Sequence, residues 1–140
     1  MKIDSIKNGI VLDHITAGKG MKIYEQLGLD ELDCSIAIIK NVKSNKMGKK
    51  DIIKISDQFD LHLDVLGYVD PSVTVCMIED GKLVSKRKVE LPERITNIAK
   101  CKNPRCITSV EQEIDQVFKL VDQDKKVYRC IYCESKLKDN

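Results

Sequence analysis

The sequence has no tryptophan, and its four tyrosines and two phenylalanines form no clear array on which the bases of a nucleic acid could stack. It also has little excess charge, because 24 basic residues are balanced by 22 acidic residues, for a formal net charge of +2. A general nucleic-acid binder usually carries a clear basic excess. Both features argue against that class, although a stand-alone zinc-ribbon protein that binds nucleic acid stays the main alternative function.

Long apolar segments are also absent. No stretch approaches the roughly 20 apolar residues of a transmembrane helix, so no membrane partner is expected. The N-terminal segment MKIDSIKNGIVLDHI lacks the apolar core of a secretion signal. We therefore expect a soluble, cytoplasmic protein, and in that reducing compartment paired cysteines are better explained as metal ligands than as disulfides.

No arrangement of catalytic residues stands out. The sequence contains no Gly-x-Ser-x-Gly nucleophile elbow and no glycine-rich phosphate-binding loop, and His14 and His62 are its only histidines. Pairing of the cysteines around a metal would leave no convincing thiol nucleophile. The sequence therefore predicts a chain that is not an enzyme.

Four of the six cysteines lie in the last 40 residues as two close pairs, Cys101-x4-Cys106 and Cys130-x2-Cys133. Each pair can form a tight turn that presents two sulfurs to one ion. Four thiolates suit tetrahedral Zn²⁺ and leave no open coordination position, so we predict one structural zinc ion per chain. A rubredoxin-like iron centre, and with it a redox protein, is the competing interpretation, because four thiolates also suit iron.

The apolar pattern predicts the order β-α-β-β-α-β, a ferredoxin-like α+β sandwich, over about 90 residues. Asp80-Gly81 predicts a two-residue hairpin turn to a further strand. Cys34 and Cys76 lie in alternating apolar runs and are expected to be small buried hydrophobic residues.

Pro92 interrupts any strand, so the predicted domains are residues 1–92 and 93–140. The second segment resembles a small antiparallel-β zinc ribbon of the rubredoxin-like type. It is too small to rely on an apolar core, and its folding is expected to depend on the metal.

Charged residues on the predicted strands suggest a second site. Asp13-His14 ends the first strand, where a carboxylate beside an imidazole could orient a ribose and a phosphate. Lys49, Lys50 and Lys54 lie on or near one predicted strand and Lys86 lies on another. Lysines on neighbouring strands can converge on one polyphosphate as point charges. The alternatives are a strand-end pair without a ligand and a lysine-rich edge that discourages sheet aggregation.

Four stretches carry a resemblance that covers nearly the whole chain: IKNGIVLDHI at 6–15, MGKKDIIKI at 47–55, LPERI at 91–95, and the tail CKNPRCIT…YRCIYCE. In this order they resemble the regulatory chain of aspartate carbamoyltransferase. The resemblance implies an N-terminal ferredoxin-like domain that binds nucleotide effectors, with CTP typically inhibiting and ATP typically activating. It also implies a zinc domain that docks on the catalytic chain.

The same resemblance implies that regulatory chains pair as homodimers and bridge two catalytic trimers, giving six chains of each kind in an enzyme of pyrimidine biosynthesis. The regulatory chain itself does no chemistry. The zinc ligands implied are the four paired cysteines.

The resemblance also implies which residues bind the nucleotide. Ile3, Asp4 and Ile6 fall on the base-binding edge, and Asp13 falls at the ribose. His14, Lys50 and Lys86 fall where the phosphates are met, and Lys54 falls where the ribose and base are reached. Ile78 and Leu83 fall at positions of an apolar wall. Two positions depart from the family, since Cys76 replaces an asparagine and Gly81 replaces a tyrosine.

Overall fold

The computed structural model describes residues 7–58 and 61–137. The chain divides into two compact units, Met1–Glu90 and Leu91–Asn140. The boundary predicted from the sequence, between residues 92 and 93, lies two residues further along the chain. Among the described residues, no helix has the length and apolar character needed to cross a membrane.

The first unit is one antiparallel sheet with two short helices. Its sheet has the strand order β2-β3-β1-β4-β5. The elements are β1 (Gly9–Thr16), α1 (Gly20–Gln26), a 3-10 turn (Leu29–Glu31), β2 (Ile36–Ser44), β3 (Gly48–Ile55), α2 (Leu63–Val69), β4 (Thr74–Glu79) and β5 (Lys82–Lys88). The predicted β-α-β-β-α-β order is confirmed, and the strand after the Asp80-Gly81 turn adds a fifth member beside β4.

One face of this sheet is apolar because alternate residues of each strand point to it. Ile10 and Leu12 of β1 pair with Ile55 and Ile53 of β3, and all four are fully buried. The core extends to residues of both helices, including Ile23, Leu66 and Val69. The face therefore packs against the helices, as an α+β sandwich requires.

The opposite face, called the outer face here, carries a different row of residues. Lys54 of β3 pairs with Val11 of β1, Val11 pairs with Cys76 of β4, and Cys76 pairs with Lys86 of β5. Cys76 is half-buried rather than buried as expected, because its register places it on this face. Cys34 is also half-buried, although it does pack against the core.

A buried carboxylate organises the start of α1. Asp51 is 0 % exposed and accepts hydrogen bonds from the backbone N–H of Gly18 at 3.1 Å, Gly20 at 3.0 Å and Asn41 at 3.0 Å. It thereby joins β3 to the loop before α1 and to an irregularity of β2. A Cβ on Gly20 would lie 2.9 Å from Asp51 Oδ2, so glycine is needed for this close approach.

The second unit is a three-stranded antiparallel sheet with the order β6-β7-β8. Its elements are β6 (Arg94–Thr96), α3 (Ile107–Val110), β7 (Val117–Asp122) and β8 (Val127–Cys130). Among the described residues, its buried apolar side chains besides cysteines are Ile95, Phe118 and Tyr128. The small second sheet that bears the cysteines confirms the predicted fold class.

Candidate metal centre and anion-binding surface

The four paired cysteines converge in the second unit. Their sulfur atoms all lie within 4.8 Å of one another. Cys101 Sγ lies 3.6 Å from Cys133 Sγ, and Cys106 Sγ lies 3.6 Å from Cys130 Sγ. Tetrahedral metal–sulfur bonds of about 2.3 Å place sulfurs about 3.8 Å apart, whereas a disulfide needs about 2.05 Å. The spacing fits four thiolates around one metal ion.

Two tight turns present these sulfurs. Cys101 and Cys106 flank the turn before α3, whereas Cys130 ends β8 and Cys133 lies in the turn after it. Cys101, Cys106 and Cys130 are buried and Cys133 is half-buried. Four sulfur ligands leave no open coordination position, so the arrangement is that of a structural site rather than a catalytic one.

The first cysteine of each pair is held in its thiol form. Burial raises the pKa of Cys101 to about 12, against the opposing effect of the Asn103 backbone N–H. Burial also raises the pKa of Cys130, although the backbone N–H groups of Cys133 and Tyr132 oppose it. A metal ion must displace these protons before it can bind both sulfurs.

The second cysteine of each pair is biased toward thiolate. Burial alone would raise the pKa of Cys106, but hydrogen bonds from the Thr108 hydroxyl and N–H outweigh it and the pKa is lowered. The hydroxyl of Ser135 is the largest cause that lowers the pKa of Cys133 to about 6. Each pair therefore offers one sulfur that favours the charged form.

The outer face of the first unit brings together several of the other predicted residues. Lys54 and Lys86 lie in one row across β3, β1, β4 and β5. Strands about 4.8 Å apart place these two Cα atoms roughly 14 Å from each other. Two lysine side chains can span that distance when both contact one extended anion. Ile78 and Leu83 pair with each other in a neighbouring row and supply apolar surface.

Asp13 and His14 lie at an irregularity of β1, opposite β3. Lys50 Nζ lies 2.9 Å from Asp13 Oδ1, and the His14 backbone N–H donates to the same oxygen at 2.6 Å. Partial burial raises the pKa of Asp13, but the hydrogen bond from Lys50 leads the opposing interactions, and the net pKa is lowered. The carboxylate therefore stays ionised at neutral pH.

The His14 backbone adopts a left-handed conformation with φ of 58°. Such a conformation is uncommon in residues other than glycine and needs support from its neighbours. His14 Nδ1 lies 3.1 Å from the buried Thr74 hydroxyl, and the Ser72 hydroxyl lies 3.0 Å from the His14 carbonyl oxygen. Asp70 holds Ser72 and also accepts the N–H of Thr16 at 2.7 Å.

Asp70, Ser72 and Thr74 were not singled out from the sequence. Nothing in the local sequence connects Asp70 with Asp13, which lies more than 50 residues earlier. The sheet register makes the connection, because Asp13 pairs with Thr74.

Positive charge is concentrated near this site. The neighbouring ammonium of Lys88, with a contribution from Lys86, lowers the pKa of Lys46. The hairpin between β2 and β3 thus carries Lys46 close to the end of β5.

Ile3, Asp4 and Ile6, which were expected at the base-binding edge, lie outside the described residues.

The turn beside the expected base pocket has the predicted form. Asp80 and Gly81 have φ of 52° and 75°, the left-handed pair of a two-residue hairpin turn. The Gly81 N–H donates to the Lys7 carbonyl oxygen at 2.7 Å. Glycine at this position keeps the backbone geometry without a side chain.

Comparison with known families accounts for both units. Residues 1–90 match the family model described as the aspartate carbamoyltransferase regulatory chain, allosteric domain. Residues 93–140 match the model for the metal binding domain of the same chain. This chain belongs to the family of aspartate carbamoyltransferase regulatory chains. The resemblance drawn from the sequence is confirmed, and family membership argues against both a stand-alone nucleic-acid binder and a redox protein.

Individual regulatory chains agree over nearly the full length. The regulatory chain of Clostridium acetobutylicum is 53% identical over 134 residues, which cover 96% of this chain and 92% of the relative. That of Clostridium botulinum is 52% identical with the same coverage. The Bifidobacterium longum regulatory chain is 44% identical over 138 residues and 99% of both chains. The chain is therefore a non-catalytic subunit with an allosteric and a metal-binding domain.

Proposed function

We propose that this regulatory chain binds nucleotide effectors of the CTP and ATP class on the outer face of its first domain and controls an aspartate carbamoyltransferase catalytic chain. The main support for this proposal is the strand register, which places Lys54 and Lys86 in one row across four strands, beside the Asp13–Lys50 ion pair. Cations around one ionised carboxylate suit a ligand that has both a polyphosphate and hydroxyl groups. Residues 1–92 form the effector domain and residues 93–140 the docking domain in this proposal.

Each residue has a proposed part in binding. Asp13 accepts hydrogen bonds from ribose hydroxyls, and Lys54 reaches the ribose and base. His14, Lys50 and Lys86 contact the phosphates. Ile78 and Leu83 form the apolar wall beside the base, and Ile3, Asp4 and Ile6 supply the base-binding edge. The support is the register of β1, β3, β4 and β5, together with the resemblance to the family.

The metal of the second domain is proposed to be zinc, one ion per chain. Four sulfurs within 4.8 Å of one another, with two pairs at 3.6 Å, suit its tetrahedral preference, and zinc supplies no redox chemistry. Elemental analysis and an absorption spectrum test this assignment. A red protein that contains iron would contradict it.

The metal-held turns are proposed to form the docking surface for the catalytic chain. Ile107 and Val110 follow the first cysteine pair, and Ile131 and Tyr132 lie inside the second pair. All four apolar side chains are exposed. Apolar side chains that remain exposed on two turns held by one ion suit a protein partner. Loss of the metal should therefore prevent co-migration with catalytic trimers during size-exclusion chromatography.

Regulatory chains are proposed to pair through the first domain in a cytoplasmic assembly of six catalytic and six regulatory chains. The two edges of its sheet differ. Every residue of β5 is exposed and the strand is rich in lysine, which disfavours pairing with another strand. The β2 edge carries the half-buried Ile36, Ile38 and Ile39. Sedimentation of Ile39→Lys, compared with Val84→Lys on β5, tests this choice of edge.

Control of the catalytic chain requires that the nucleotide bind the low- and high-activity states of the assembly with different affinity. The direct test compares Lys54→Ala and Lys86→Ala with Lys49→Ala. Lys49 loses the same charge, but it is exposed and alternates with Lys50 along β3.

We expect Lys54→Ala and Lys86→Ala each to weaken CTP or ATP binding roughly 10- to 100-fold, because a hydrogen bond to a charged group contributes about 1.5–3 kcal/mol. Lys49→Ala should bind normally. Calorimetry measures binding to the regulatory chain, and kinetics of the assembled enzyme measure the response. Equal binding by all three variants would refute the site.

A further inference from the structure

The metal centre needs more than four ligands. Four thiolates around a divalent ion leave a net charge of −2, and three of the four cysteines are buried. A buried charge is costly unless hydrogen-bond donors surround it. The environment of each sulfur therefore decides how firmly the ion is held.

The backbone directs at least one N–H group at every sulfur. In each case the N–H of the residue two positions further along the chain faces the sulfur. The pairs are Asn103 with Cys101, Thr108 with Cys106, Tyr132 with Cys130 and Ser135 with Cys133. Cys130 also faces the N–H of Cys133, so it has two backbone donors.

Side chains supply further donors to the second cysteine of each pair. Thr108 Oγ1 lies 3.1 Å from Cys106 Sγ, and Thr108 is only 3 % exposed. The hydroxyl of Ser135 faces Cys133 in the same manner. In both pairs, a hydroxyl residue follows the second cysteine by two positions, so Cys106 and Cys133 each have an additional donor.

Further hydrogen bonds hold these hydroxyl residues in place. Gln116 Nε2 donates to the Thr108 carbonyl oxygen at 3.4 Å, and Gln116 Oε1 accepts the Cys101 N–H at 2.9 Å. Asn103 Nδ2 donates to Ser135 Oγ at 3.2 Å. Gln116 therefore connects Cys101 to Thr108, and Asn103 connects the turn of the first pair to Ser135 beside the second pair.

We infer that Thr108 and Ser135 are positioning residues of the metal centre, whose hydroxyl groups donate hydrogen bonds to the Cys106 and Cys133 thiolates and raise the affinity for the ion. Thr108 has the larger effect because it is buried and water cannot replace its hydroxyl. Ser135 is half-buried, so water can substitute in part.

The test uses the full chain loaded with Zn²⁺ or Co²⁺. Thr108→Val replaces the hydroxyl by a methyl group of similar size, Thr108→Ser restores the donor, and Ser135→Ala removes the second one. Thr96→Val, at an exposed position of β6, is the matched control. Competition with a chromophoric chelator measures Zn²⁺ affinity, and the thiolate-to-Co²⁺ charge-transfer band reports on the sulfurs directly.

Thr108→Val should bind Zn²⁺ about 10- to 100-fold more weakly, the usual effect of removing a partner of a metal ligand. Its Co²⁺ band should move to longer wavelength, because a thiolate that loses a hydrogen bond gives up electron density more easily. Thr108→Ser should restore both properties, and Ser135→Ala should show a smaller change in the same direction.

Equal affinity and an unchanged band in Thr108→Val and Thr96→Val would overturn the inference. If Thr108→Val fails to fold, the Co²⁺ charge-transfer band of Ser135→Ala tests the inference instead. An unshifted band in that variant would overturn the inference. A native chain that takes up neither metal would overturn the metal assignment itself, which is a separate result.

Discussion

Removal of the metal should unfold the second domain and leave the first domain folded. Apart from cysteines, the buried apolar side chains of the second domain among the described residues are Ile95, Phe118 and Tyr128. At about 1.5–3 kcal/mol for each buried side chain, they contribute roughly 4–9 kcal/mol. Zinc binding in small zinc domains contributes about 10–16 kcal/mol. The ion therefore exceeds the apolar core as a source of stability.

The first domain has no such dependence. Its core contains twelve buried apolar residues, from Ile10 to Val89, which at the same value contribute about 18–36 kcal/mol. Hydrogen exchange after exhaustive chelation separates the two domains. Amides of β7 and β8 should lose protection, whereas amides of β1 and β3 should keep it.

A matched pair of variants checks the cause. Cys130→Ala removes one ligand and should reproduce the effect of chelation, whereas Cys76→Ala removes a thiol outside the cluster and should not. Protection of β7 and β8 that persists after elemental analysis finds no metal would refute the reasoning.

Two other predictions concern protons and a buried carboxylate. The raised pKa values of Cys101, about 12, and of Cys130 mean that both thiols bind protons at pH 7 and must lose them to the metal, so zinc affinity should rise with pH. Calorimetry in buffers of different ionisation enthalpy should detect at least about two protons released per ion, and no release would contradict this assignment. Asp51→Ala should lower the free energy of unfolding of the first domain by about 2–4 kcal/mol, because three N–H groups lose their acceptor. Urea denaturation measures this loss against Asp33→Ala at an exposed site, and equal stability of the two variants would show that Asp51 has no such role.

Features that depend on neighbouring residues were predictable. The spacing of Cys130 and Cys133 constrains a short turn, and Asp80-Gly81 combines two residues that tolerate positive φ. The apolar pattern along the first 90 residues predicted the order of strands and helices.

Features that depend on distant residues were not predictable in the same way. Asp51 resembles any acidic residue in a lysine-rich segment, yet it is fully buried because it accepts three backbone hydrogen bonds. Cys76 appeared suited to the core, but the register of β4 places it on the outer face beside Lys86. Gln116 gave no indication that it joins Cys101 to Thr108.

The sequence by itself determined the order of strands and helices in the first domain, the pairing of the four cysteines that cluster and the family, because local spacing, turn chemistry and residue type encode these properties. Only the tertiary structure decided which lysines share the outer face, which carboxylates are buried and which hydroxyls face the sulfurs. The physical reason is that strand register and side-chain burial arise from contacts between residues far apart in the chain. A shift of one residue in register would move Lys54 or Lys86 to the opposite face of the sheet.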